Sequence, residues 1–490
     1  MSGRLPGREA AAAVGSTRDI IDREYRSGYN HSSRVVRMKR ILILFAVLGA
    51  AAGCAGYRPA PLPQQPDLKT SLADLDRTVP PIDTRDPPRR IDITRPLTLE
   101  EVGLLAILNN PGLRSEPGDI GAARGQLLQA TLLPNPSASL GYGQLIAGPG
   151  TASSISASLS EDIAALVTYR ARVGSAEAHV AETDASLLWR EWQVAQKARQ
   201  LALDIFEEGR AIALLRQEAR LITGELARVR KAIAAGNLTI AALAPLLAAE
   251  ATTEDALATQ GLARLKDWQA LDALMGLVPR VRFAVARPVF GPLPQGLDRL
   301  AGSLPERRPD LIALRFGYRS AETNVRAAIL GQFPAFSLGP SYGSDTSKVV
   351  TIGPSFTFAL PVFDRNQGKI AESRATRRLL REQFADRLDA AVGTVHALAA
   401  QIRQLSADLA RARTAAAAAA SIARTARRAY AQGNLDQRSL VEYETTALER
   451  ALQVIAFERQ IGEDRIFLAV ELGLGLPPAR IAPPEGELRL

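Results

Sequence analysis

The side chains best suited to chemistry are few and scattered. The 490-residue chain holds one cysteine, Cys54, and three histidines, His31, His179 and His396. Zinc or iron sites need several such ligands close together, so this inventory argues against Cys/His metal chemistry. His179 and His396 fall within long helical patterns. No serine, cysteine or carboxylate constellation around them would make a triad, and they read as packed or solvated helix residues. Gly141-Tyr142-Gly143 precedes a strand partner rather than a helix and is no dinucleotide fingerprint. Glu161 and Asp162 stand near a strand end, where a solvated rim charge is expected. The residues therefore assign no catalytic group, no metal and no cofactor, and no enzyme activity is expected.

The elements around these residues say more. With 47% hydrophobic, 5% aromatic and 23% charged residues, 37 Gly and 30 Pro, a wholly disordered, collagenous or disulfide-stapled chain is excluded. The formal charge of +9 is unevenly spread: residues 1–53 carry nine Lys/Arg against four Asp/Glu, which leaves only +4 for the rest. That is too little to argue for nucleic acid. Met38-Lys39-Arg40, the apolar run Ile41 to Leu48 and the small residues Gly49 to Gly53 before Cys54 have the layout of a bacterial export signal. Its apolar part is about a dozen residues where a spanning helix needs ~20. Ala52-Gly53-Cys54 resembles a lipobox, with Ala51 where Leu is usual, so lipidation is expected on Cys54; a buried free thiol is the alternative. Ala55 after it resembles lipoproteins sent to the outer membrane. Met38 reads as the true start, and residues 1–37 as a mis-assigned start or a disordered extension. A Pro-rich stretch, Tyr57 to Pro66, follows.

Beyond it the chain is one unit written twice. Asn110-Pro111-Gly112-Leu113 matches Arg308-Pro309-Asp310-Leu311, and Pro136 to Gly141 matches Pro334 to Gly339, both 198 residues apart. The register continues at 197 from Ile155 to Ile352, Ala178 to Ala375, the Gly236-Asn237-Leu238 segment to Gly433-Asn434-Leu435, and Gly276 to Gly473. The domains are accordingly 1–53 (extension and signal), 54–96 (Pro-rich linker), 97–290 (first repeat), 291–480 (second repeat) and 481–490 (tail).

Each repeat has the same internal order. Helical spacing over Leu99 to Asn109 and Leu113 to Leu133 precedes strands near Pro136 to Leu145 and Ser153 to Ser160. A long helix from Ala171 to Ala235 and a return from Thr239 to about Gly276 follow. In the second repeat the strands lie near Ala335 to Tyr342 and Val349 to Ala359. Its long helix covers Ile370 to Ala431 and its return about Leu440 to Leu472. At 1.5 Å per residue, helices of 60 to 65 residues make rods of ~90 to 100 Å.

Ser154 to Ser160 alternates apolar residues with hydroxyls, and Val350 to Phe358 repeats the pattern, with Ile352, Phe356 and Phe358 opposite Thr351, Gly353, Ser355 and Thr357. Four strands between such helices have no second sheet to pack on, so Ile155, Leu159, Ile352, Phe356 and Phe358 are expected to face lipid. In hydrocarbon a sheet must close on itself, which four strands cannot do. Three copies would supply twelve.

Residues 54–480 resemble the outer-membrane efflux proteins, the TolC-like family of trimeric channel-tunnels. The likeness is carried by Leu97 to Val102 with Asn109 to Leu113, the Leu132-Leu133-Pro134-Asn135-Pro136 entry to a strand, Leu360-Pro361-Val362-Phe363-Asp364-Arg365-Asn366-Gln367-Gly368, and the two Gly-Asn-Leu helix tips. The resemblance implies an α+β, mainly α fold: a homotrimer with a twelve-stranded barrel in the outer membrane and a twelve-helix periplasmic tunnel, lipid-anchored. It also implies a periplasmic adaptor and an inner-membrane pump of the RND type as partners. The adaptor contact falls on Gly236, Asn237, Leu238 and Thr239 and on Gly433, Asn434, Leu435, Asp436 and Ser439. An acidic constriction residue falls on Glu442. The second tip has Asp436 where Ser or Thr is common and Ser439 where Asp is common, and the first has Ala242 in place of the acid. Asp162 to Tyr169 lacks the Leu-Pro-x-Phe-Asp turn of the second repeat.

The function expected is passive conduction of drugs or heavy-metal cations delivered by the pump. A type I secretion channel and a non-pore periplasmic scaffold or adaptor are the alternatives. Three Glu442 carboxylates would form a cation-concentrating ring; the competing reading pairs Glu442 with Arg438 on the helix surface.

Overall fold

The computed structural model describes residues 57, 59–80, 87–334 and 336–474. Cys54, His31, the signal layout and the 481–490 tail lie outside them. The first repeat contains α1 (Leu99–Asn109), α2 (Glu116–Thr131), β3 (Ser137–Gly143), β4 (Ser154–Asp162), α3 (Ile163–Ala234) and α4 (Ala244–Leu274). The second contains α5 (Leu297–Gly302), α6 (Leu304–Arg307), α7 (Pro309–Leu330), β5 (Phe336–Ser344), β6 (Val350–Phe358), α8 (Gln367–Ala431) and α9 (Gln437–Glu471). Two short strands, β1 (Thr78–Val79) and β2 (Arg89–Arg90), precede them. No described helix is long and apolar enough to cross a membrane.

The two repeats superpose element on element. α5 and α6 together occupy the positions of α1, but Pro305 at the start of α6 divides them. In the first repeat a 3-10 turn, Leu113–Ser115, takes the place of the start of α7. The four long helices form two hairpins, α3 with α4 and α8 with α9, and α9 also packs on α3. Every hairpin bend and return ends on a left-handed glycine: Gly236 (φ 77), Gly276 (φ 66), Gly433 (φ 76) and Gly473 (φ 66). Each follows the same C-terminal pattern, with the next amide bonding back across the last turn, as Asn237 does to Ala232 and Asn434 to Ala429.

α3 runs to 72 residues, which at 1.5 Å each is about 108 Å. It begins eight residues before the sequence pattern places it. Strand β4 passes into it without a loop because the Asp162 side chain accepts from the Ala165 amide and caps the first turn. From Phe384 to Ala426 the residues of α8 that avoid exposure recur at alternating steps of four and three, through Ala391, Val395, Leu398 and Ile402. That is the seam of a left-handed coiled coil, laid along α9.

Two clusters hold the helices together, and they are copies. Ala198, Ile205, Leu271 and Met275 of the first correspond to Val395, Ile402, Leu468 and Leu472 of the second at the 197-residue offset. The first is enlarged by residues 67–96. Composition assigns this stretch to a linker, yet Leu75 and Ile91 are buried in the cluster, and Lys69 and Leu97 bridge to Leu277 and Val285. The Pro-rich run Tyr57 to Pro66 ends before Asp67, while apolar side chains after it reach the helix ends.

Candidate functional site

β3, β4, β5 and β6 form one antiparallel sheet in that order. Its register sorts the side chains onto two faces, with Glu161 and Ser344 the polar residues of the apolar one. Leu140 stands opposite Ala157, Tyr142 opposite Ile155, Leu338 opposite Phe356, and Tyr342 opposite Ile352. These apolar pairs share one face with Leu159, Phe336 and Phe358. The other face carries Ser137, Ser139, Ser154, Ser156, Ser158 and Ser160 from β3 and β4, Ser337 and Ser341 from β5, Thr351, Ser355 and Thr357 from β6, and glycines between them. Apart from Asp162 at the strand end, that face holds only Ser, Thr and Gly. Ile352 is 81% exposed and Phe356 58%, so the apolar face has no partner within the chain.

Glycine on the hydroxyl face is a steric requirement at one position. A Cβ on Gly339 would lie 1.7 Å from the Leu159 carbonyl oxygen. The approach follows from Pro340, which has no amide to offer β4: the β4–β5 ladder runs to Ser158–Ser341 and resumes at Glu161–Leu338. Among the described residues, β3 and β6 have no strand partner on their outer edges.

Between sheet and helices, the Leu360 to Gly368 segment folds on itself. The Asn366 amide bonds Asp364, the Arg365 amide bonds Gln367, and the Asn366 side chain donates to the Ala328 carbonyl at 2.7 Å. Asn366 is left-handed at φ 60, which asparagine tolerates better than most residues.

The helix tips are the opposite end of the structure. Gly236, Asn237, Leu238 and Thr239 make the first bend, and Gly433, Asn434, Leu435 and Asp436 the second. All eight are exposed except the half-buried Leu435. Asp436 caps α9 by accepting from the Ser439 amide at 2.9 Å and the Ser439 hydroxyl at 2.6 Å. Exchanging the usual order of hydroxyl and acid thus preserves the cap. These bonds hold the Asp436 carboxyl below the usual range. Thr239 makes no side-chain cap, and its return opens with a 3-10 turn, Ile240–Leu243, before α4. Glu442 is exposed and, among the described residues, forms no ion pair within the chain, including with Arg438.

Near the tips the two hairpins are tied by contacts the sequence did not single out. The Tyr430 hydroxyl on α8 donates to Glu225 on α3 at 2.7 Å, and burial beside that carboxylate pushes the phenol up to about 12. Arg427 bonds Glu444 at 2.7 Å within the second hairpin. Heptad position could have found the second pair; the first needs the packing of α3 on α8. His179 lies 3.2 Å from Glu182 and His396 3.7 Å from Asp298, each as a partly exposed helix residue.

Residues 300–474 match the family model described as outer membrane efflux protein. No curated protein matches the chain. Among solved structures, a membrane protein from Pseudomonas aeruginosa is 18% identical with a TM-score of 0.65, covering 86% of this chain and 97% of that one. CusC is 17% identical with a TM-score of 0.63 over 86% of this chain and 98% of its own. The open state of the MtrE outer membrane channel of Neisseria gonorrhoeae is 17% identical with a TM-score of 0.64, over 85% and 98%. Residues 300–474 thus carry the sequence pattern of the outer membrane efflux proteins, and the chain shares the fold of these solved structures along most of its length.

Proposed function

We propose that three copies of this chain form an outer-membrane channel that passively conducts solutes, drugs or heavy-metal cations, delivered by an inner-membrane RND-type pump through a periplasmic adaptor. The two-faced sheet carries this reading. An apolar face without a partner and a face of Ser, Thr and Gly suit a wall between hydrocarbon and water, and the small residues leave the lumen wide. Lipid leaves no strand edge unpaired, so the outer edges of β3 and β6 call for neighbouring copies. The exposed tips at Gly236 and Gly433 would meet the adaptor, three Glu442 side chains would ring the entrance, and lipid on Cys54 would add an anchor.

The test places one charge on each face. Ile352→Arg should block membrane assembly, because an arginine facing mid-bilayer lipid costs ~2–4 kcal/mol. Ser158→Asp should assemble and shift ion selectivity in planar bilayers. Equal tolerance at both positions would sink the barrel reading. Glu442→Gln should reduce cation selectivity, and unchanged selectivity would reject the ring.

A further inference from the structure

Midway along the helices, α3, α4 and α9 bury a group of acids that the channel reading does not use. Asp204 and Glu208 on α3 are 4% and 2% exposed. Arg459 of α9 lies 2.8 Å from Asp204, 2.9 Å from Glu463 one turn along its own helix, and 3.9 Å from Glu208. Asp204 faces Glu463, and Glu208 faces Asp267 of α4. Among the described residues, Glu208 Oε2 has no hydrogen-bond donor. The other charged groups directed here are Lys197 of α3 and Arg264 of α4; neither is within ion-pair distance of these acids. Next to them, Glu207 is occupied by Arg210 at 2.6 Å, and Asp464 accepts from Gln460.

Two carboxyl groups facing each other in a partly buried seam both accept, and neither donates, unless a proton lies between them. One guanidinium cannot serve four carboxylates, and the unpartnered Glu208 oxygen marks where the shortage falls. We propose that this seam holds protons shared between Asp204 and Glu463 and between Glu208 and Asp267, and that their release loosens α9 of the second hairpin from the first. The seam thereby sets the ease of tunnel opening by pH, a consequence that rests on the channel reading, whereas the protons themselves do not.

The direction follows from burial. Desolvation pushes Asp204 up to about 8 and Glu208 up to about 7, and Asp267 also upward. Carboxyls raised on folding stabilise the packed state fully below their unfolded values, and that contribution disappears as pH rises through about 7 to 8. The Arg459 side chain is 38% exposed, so the protons have a route to water.

Infrared titration of the full-length protein tests this. A protonated-carboxyl carbonyl band should be present at about pH 6, vanish by about pH 9, and be lost in Asp204→Asn/Glu208→Gln. Over the same range, hydrogen exchange in peptides spanning 200–212 and 455–466, corrected for intrinsic rates, should rise about tenfold in the wild type and stay flat in the variant. Absence of the band in the wild type at about pH 6 overturns the proposal even if the variant does not fold. So does a pH response that survives the double substitution. A band and exchange response without any conductance in planar bilayers would uphold the shared protons and sink the channel reading instead.

Discussion

The first and second repeats close the same joints with different side chains. Where α1 ends, Asn110 donates to the Leu274 carbonyl at the end of α4 at 2.8 Å. Arg308, 198 residues on, makes the equivalent reach to Glu471 at the end of α9, while binding Asp310 at 2.7 Å and lying over the Trp189 ring at 5.0 Å. Where sheet meets helix, Tyr169 donates to the Thr131 carbonyl at 3.0 Å and Asn366 to the Ala328 carbonyl at 2.7 Å. Both donors and both acceptors are 197 residues apart. Duplication has kept the backbone geometry and left the chemistry of each latch free to change.

That difference can be broken at its most buried point. Arg308 is 2% exposed, so Arg308→Ala leaves Glu471 without its partner and Asp310 with only Arg387 at 3.7 Å, and should cost about 3–5 kcal/mol in unfolding followed by circular dichroism. Asn110→Ala removes a neutral bond and should cost roughly 1 kcal/mol. Comparable losses would mean that the ion pairs at Arg308 add nothing to the joint.

The glycine bends offer the opposite expectation, equality. Gly236 and Gly433 are both left-handed, and neither has an atom within 4 Å of an added Cβ. Alanine at either should cost the same, roughly 1–2 kcal/mol, from backbone strain alone. Unequal losses would show that the tips are not equivalent.

Smaller effects sharpen the comparison further. Tyr169→Phe should cost roughly 0.5–1.5 kcal/mol. Asn366→Ala should exceed it, because alanine must also hold a left-handed backbone. At the tips, Asp436→Ala should speed amide exchange in the first turn of α9, whereas Thr239→Ala should leave the start of α4 unchanged, since only Asp436 caps through its side chain. Equal exchange in the two variants would discount the exchanged Asp436–Ser439 cap.

Much of this architecture was legible in the residues. The period-two alternation in β4 and β6, the drift of one residue between repeats and the glycine punctuation each depend on local geometry, which neighbouring residues specify. The start of α3 was placed late because Ile163 to Arg170 could extend a strand or open a helix, and only the cap from Asp162 decides. The burial of Leu75 and Ile91 is not legible, because a few scattered apolar side chains carry no period and their burial depends on helix ends nearly 200 residues away.

Local pattern specified the duplicated order of elements, the faces of the strands and the positions of the bends, since each arises from steric rules acting within a few residues. The three-dimensional packing settled which of the many helix charges lie in water and which meet one another. Asp204 and Glu208 carry no local mark that separates them from the exposed acids of the same helices, and their burial follows from the way α4 and α9 pack on α3. Electrostatic energy depends on distance through space and on exclusion of water, neither of which is recorded along the chain.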